Sequence, residues 1–160
     1  MSFGKATIAG LAAAMVFAGI AHAATDVVTG VCNPTTMRFI SEGADTSFTK
    51  SNANPSNIPQ TAITFTQGGS VPGCVVVRFS AEVWTDIGAN LVLKPMIDDR
   101  FEANPKIVLF FSNASDINAR SFEFVFKGIK PGRHTLNMKW LAENNPVSIG
   151  RHITVIQYTK

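Results

Sequence analysis

Few residues in this chain have the types and spacing that chemistry needs. Beyond His22 there are two histidines, His134 and His152. Aligning Phe126 with His134 across the intervening turn puts His134 on an apolar strand face with Leu136. The same register puts His152 on the opposite face with Ser148 and Thr154. Imidazoles on opposite faces cannot share a metal or work as a pair, since site chemistry needs converging groups. Each is read as a strand residue satisfied by a neighbour. Asp98, Asp99 and Glu102 form an acidic cluster that is a weak calcium candidate, because such a site takes about six to eight oxygens. A hairpin turn built from aspartates is the commoner source of this pattern. No G-x-S-x-G, H-E-x-x-H or phosphate-binding glycine loop occurs. The chain therefore reads as a non-enzyme with no cofactor.

The remaining candidates bind rather than react. Trp84, Trp140 and Tyr158 could stack on a sugar ring or anchor an interface. Trp140 has the parity of an apolar face and is expected to be buried. Trp84 ends its strand beside Asp86-Ile87-Gly88 and is the better candidate for an exposed platform, although a rim tryptophan in a sandwich is more often packing. Asn52, Asn54 and Asn57 lie in a long polar stretch, Ser41 to Gln60, and are ligand-binding candidates because such loops often carry function. The bland alternative is a loose connection held at its base by a disulfide. Arg151 falls between Ile149 and Ile153 on the inward face, where it needs an acid or a route to the rim. Asn113-Ala114-Ser115 matches the glycosylation sequon, a weak signal by itself.

The amino terminus sets the compartment. Lys5 supplies a weakly positive start, Ala6 to Ile20 is small and apolar, and Ala21-His22-Ala23 is an A-x-A pattern before Thr25-Asp26. That order reads as a cleavable signal peptide over residues 1–23. The apolar run is about 15 residues, short of the roughly 20 that cross a bilayer as a helix, so no membrane span is expected after cleavage. Val31 is not the small residue a lipoprotein site takes before Cys32. The protein is expected to be periplasmic or secreted, and there Cys32 and Cys74 read as a disulfide. The net charge of +3 comes from scattered Lys and Arg, with no basic run and no aromatic interleaving. No nucleic-acid partner is expected.

The elements that must position these residues are strands. Thr35 to Ile40 is one candidate strand in an otherwise irregular segment, residues 24–60. From residue 61 to 160 the period is two. Thr61 to Thr66 alternates cleanly, and Cys74 to Trp84 puts Val75, Val77, Phe79, Ala81 and Val83 on one face. Asn90 to Asp98 and Lys106 to Ser112 are joined through the acidic turn at Asp98-Asp99-Arg100. Arg120 to Lys127, His134 to Trp140 and the strand around Ile149 to Ile153 share an apolar face, which predicts a three-stranded meander. The sum is an all-β antiparallel two-sheet sandwich, jelly-roll-like, of about 8 to 10 strands with one disulfide.

Cys74-Val75-Val76-Val77-Arg78-Phe79-Ser80-Ala81-Glu82, Ser121-Phe122-Glu123-Phe124-Val125-Phe126 and Pro131-Gly132-Arg133-His134-Thr135 together resemble a group of small exported bacterial β-sandwich proteins without an assigned activity. The resemblance spans Cys32 to Tyr158 and implies export, the cysteine pair and the fold. In outline the chain also resembles chaperone–usher pilus subunits, through the cysteine pair and a terminal strand Ile153-Thr154-Val155-Ile156-Gln157-Tyr158. It departs from them in the short stretch before Cys32 and in the Pro131-Gly132 turn. The expectation is a non-enzymatic binding module for a surface glycan or protein partner. The alternatives are a self-assembling structural subunit, a homo-oligomer through sheet edges, and a small secreted hydrolase.

Overall fold

The computed structural model describes residues 32–42, 47–111 and 116–160. The signal-peptide reading over 1–23 and the sequon at 113–115 lie outside the described residues. Eleven strands run in chain order: β1 (Thr36–Glu42), β2 (Phe48–Lys50), β3 (Ser56–Asn57), β4 (Ile63–Gln67), β5 (Gly73–Thr85), β6 (Asn90–Ile97), β7 (Phe101–Glu102), β8 (Val108–Phe111), β9 (Asp116–Ile129), β10 (Gly132–Glu143) and β11 (Val147–Tyr158). All pairings between them are antiparallel.

Two sheets result. One has the order β1-β11-β5-β9 with β2 also on β11, and the other has β3-β10-β6-β7 with β4 also on β10 and β8 also on β6. β1 and β2 lie end to end along β11, β3 and β4 along β10, and β7 and β8 along β6. Each split pair therefore fills one edge position, and each sheet is four positions wide. Eleven short strands thus occupy a jelly roll's eight positions, and the expected range of 8 to 10 was low only because edges were broken. The segment expected to be irregular supplies one edge of both sheets.

The predicted meander is overturned. β9 pairs β5, β10 pairs β4 and β6, and β11 pairs β1 and β5, so these consecutive strands alternate between sheets. A jelly roll wraps a long hairpin around itself, and strands adjacent in the chain then face each other across the core. The apolar parity was right and the partners were wrong. Phe124 and Phe126 look from one sheet toward the other, which contributes Leu136, Met138 and Trp140, and all five are buried. Phe65, Phe79, Leu91, Leu93 and Ile149 complete the same cluster.

A second correction comes from β11. Its register against β5 shifts between Ile149, opposite Val83, and His152, opposite Ala81. Gly150 and Arg151 thus share the place opposite Glu82, a β-bulge that reverses the facing of all that follows. His152, Thr154, Ile156 and Tyr158 point inward and are buried, while Arg151 is exposed and meets Glu82 at 3.5 Å. Arg151 is therefore not inward, and His152 is not on the outer face. The ring of His152 lies between Phe48 and Phe79, and its Nδ1 is 3.1 Å from the Gly150 carbonyl oxygen.

Gly150 is where Trp84 lands. A Cβ there would collide with Cη2 and Cζ3 of the indole. Trp84 is half-buried, with one edge of its indole packed on the bulge at Gly150. Gly150→Ala is expected to cost about 1 to 3 kcal/mol by overpacking. In a Trp84→Ala background that cost should largely vanish, because the clashing ring is gone. Urea titration of the four proteins measures this coupling, and additive losses would refute it.

Candidate functional site

The acidic cluster resolves into a turn. Asp98 and Asp99 both have positive φ, 53° and 55°, and the Arg100 amide donates to the Ile97 carbonyl at 3.2 Å. This is the reverse turn that two strands with right-handed twist prefer, made by residues that tolerate the left-handed region. Internal partners hold each carboxylate. Asp98 Oδ2 is 2.6 Å from His134 Nδ1, and Asp98 Oδ1 accepts the Thr135 amide at 2.9 Å. Asp99 meets Lys139 at 3.0 Å, and Glu102 takes Lys94 at 2.8 Å and Lys106 at 3.1 Å. Among the described residues no three His, Cys, Asp or Glu side chains group to hold a metal. The calcium candidate thus gives way to the turn.

His134 is buried on the inward face as expected, with Nε2 2.8 Å from the Lys130 carbonyl. Its two ring nitrogens thus face oxygens on both sides, an Asp98 carboxylate and a backbone carbonyl. Partial burial pushes the Asp98 carboxyl up, but the His134 hydrogen bond, the Thr135 amide and the charges of His134 and Arg100 outweigh it, and the net shift is downward. A carboxylate lowered on folding stabilises the fold above its unfolded pKa, and that contribution is lost as pH falls through the folded value. Asp98→Asn keeps the left-handed residue and the acceptor for Thr135. It should lower stability at neutral pH and flatten the acid limb of a stability–pH curve below about pH 4. An unchanged acid limb would remove Asp98 from the account.

The polar stretch builds a cleft. β2 lies on the edge of one sheet and β3 on the edge of the other, and residues 51–55 strap across between them. The strap is tied down by Ala142, whose amide donates to the Asn52 carbonyl at 3.0 Å, and by buried Ile58, whose amide donates to the Met138 carbonyl at 2.7 Å. Between them opens a cleft of about 460 Å³. Phe48, Pro59 and Trp140 supply its apolar wall, and Thr49, Lys50, Asn52, Ser56 and Asn57 its polar groups. Lys50 pairs with Val147 in register, which gives it the inward parity of Phe48. Its ammonium reaches across the gap and donates to Ser56 Oγ at 3.0 Å.

Of the expected ligand residues, Asn52 and Asn57 line this cleft and Asn54 does not. Asn54 acts locally, its amide donating to Asn52 Oδ1 at 3.2 Å in an Asx turn. Trp84 stands on the outer face of the other sheet region, beside Gly150. Within the stretch Ser41 to Gln60, sequence reasoning did not single out Thr49, Lys50 and Ser56, and Trp140, expected to be buried, is buried. The strand that carries Thr49 and Lys50 has three residues, too few to show a period.

A larger groove of about 510 Å³ crosses the outer face of the β1-β11-β5-β9 sheet, lined by Ser41, Ser80, Glu82, Ser121, Arg151 and Ile153 among others. Its polar groups engage one another. Ser80 donates to Ser121 at 2.8 Å and Arg151 meets Glu82. The polar groups of the strap cleft also engage neighbours, Lys50 with Ser56 and Thr49 with Ser148, but Asn57 on its wall makes no side-chain hydrogen bond among the described residues, which makes the strap cleft the stronger candidate. No described helix is long and apolar enough to cross a membrane. No protein-family model matches the chain, and no curated protein matches it.

Proposed function

We propose that this chain is an exported, non-enzymatic binding domain that offers the strap cleft between β2 and β3 to a polyhydroxylated ligand of the surface-glycan kind. The observation that carries the reading is the set of amide, hydroxyl and ammonium groups of Asn57, Asn52, Thr49, Ser56 and Lys50 beside Trp140 in one cleft. Directional donors and acceptors gathered in one concavity are what a sugar needs. Export rests on the signal-like start, and the Cys32–Cys74 disulfide fits an oxidising compartment. Fold adds nothing to this choice, since jelly rolls host lectins, capsids and cupins alike.

The test is a glycan array on the oxidised, exported protein, followed by titration calorimetry of the hits. Asn57→Ala should weaken binding by about three- to tenfold, the worth of one or two neutral hydrogen bonds. An array without hits, or hits that ignore Asn57, would end this reading.

One observation favours a second reading, self-association. Ile107, Leu109 and Phe111 are exposed on and beside edge strand β8, and Leu109 continues a line through Val92 to Leu141. An apolar edge of this kind invites pairing with another sheet. Light scattering on a size-exclusion eluate reads it directly: oligomers that Leu109→Lys dissolves would support it, and a monomer at all concentrations would not. The strand-exchange form of this idea has little to stand on, because β11 is paired on both sides and Phe124 and Phe126 are buried.

A further inference from the structure

The charge of the strap cleft narrows its ligand, given the glycan-binding reading on which this inference rests. Lys50 is the one charged residue among those that line it. Five other cations meet carboxylates, Arg78 with Glu123 at 2.8 Å, Lys94 and Lys106 with Glu102, Lys139 with Asp99 and Arg151 with Glu82, while Arg38 turns to the Thr64 carbonyl and Arg100 and Arg120 to phenyl rings. Lys50 has only the Ser56 hydroxyl, and no carboxylate within salt-bridge distance among the described residues. It is also half-buried, where an uncompensated charge is less screened and gains more from an incoming anion than an exposed lysine would. Its inward parity and the Ser56 hydrogen bond place the ammonium between the two sheet edges, in the cleft that Asn57 also lines.

We infer that the cleft selects an acidic saccharide, with Lys50 taking the carboxylate or sulfate and the Asn57 and Asn52 amides reading the ring hydroxyls. A lysine is a point charge that does not demand the planar fork of a carboxylate, so both anions fit its chemistry. Neutral sugars of the same ring would bind through the amides alone.

Three probes separate the possibilities by calorimetry on the oxidised, exported protein: an oligogalacturonate, the neutral oligogalactose of equal length, and a sulfated galactan oligomer. An acidic probe should bind about tenfold or more tightly than the neutral one, and weaken as salt is raised. Lys50→Gln should remove that advantage and the salt dependence, bringing the acidic and neutral probes to the same affinity. Lys50→Arg should restore most of the advantage. Which acidic probe wins identifies the anion. Equal affinity for acidic and neutral probes, lost in Asn57→Ala but unchanged in Lys50→Gln, would overturn the inference and leave the cleft as a glycan site. Failure of all three probes, and of the wider array, would take the functional reading down with it. Unchanged thermal melts of the Lys50 variants show that the comparison concerns binding and not folding.

Discussion

Replacing Phe124 with alanine is expected to lower stability by about 3 to 5 kcal/mol, the range for deleting a buried phenyl ring. Phe124 is fully buried, pairs with Val77 in the β5–β9 register, and projects from its sheet toward the opposite one. Its loss opens a cavity between two layers that strand pairing holds in place, so neighbours can relax only in part. Domains of this size have about 5 to 15 kcal/mol in total, and the variant would sit near the edge of folding. Phe39, on β1, is 67% exposed, and Phe111, on β8, is 55% exposed. Phe39→Ser and Phe111→Ser should each stay within about 0.5 kcal/mol of the parent. Urea unfolding of the three proteins discriminates a jelly-roll interior from a generic aromatic-rich sheet. Similar losses at all three positions would mean that the core has been drawn in the wrong place.

The contrast among these phenylalanines shows what was legible in the sequence. Parity is a local property, so the alternation in Phe122-Glu123-Phe124-Val125-Phe126 announced both a strand and its buried face. Pairing is not local. β9 and β10 are separated by a short turn, yet they sit in different layers, because the partner of β9 is β5 and that of β10 is β6. Nothing between Lys127 and Arg133 distinguishes a turn that closes a hairpin from one that arches between sheets. The bulge at Gly150-Arg151 was equally hidden. It depends on Trp84, far away in the chain, lying across a residue without a side chain. One unseen bulge then reversed Arg151 and His152 together. The site was half legible for the same reason: the polar strap advertised Asn52 and Asn57, whereas Lys50 and Trp140 reach it only through the meeting of two sheet edges.

The disulfide bears on both stability and binding through that strap. Cys32 and Cys74 are bonded with Cα atoms 5.6 Å apart and a sequence separation of 42. The closed loop contains β1, β2, β3 and β4, which are the broken edge of both sheets on one side of the sandwich. These strands are short and each touches a partner on one flank, so they depend on the tether more than β5, β10 or β11 does. Removing both cysteines as Cys32→Ser/Cys74→Ser should cost roughly 3 to 4 kcal/mol from loop entropy alone. That corresponds to a melting temperature lower by about 10 to 15 °C for a chain of this length. The loss should not be uniform. Hydrogen exchange should rise first in β1 to β4 while the β5–β9 and β6–β10 pairs stay protected. Because Lys50, Asn52, Ser56 and Asn57 all lie inside the closed loop, affinity for the proposed ligand should fall even at temperatures where the variant is still folded. A variant that melts lower but binds with unchanged affinity would show that the strap holds its shape through Ile58 and the Ala142 hydrogen bond alone. A variant that melts at the parent's temperature would mean that the unfolded chain gains little from being cut free.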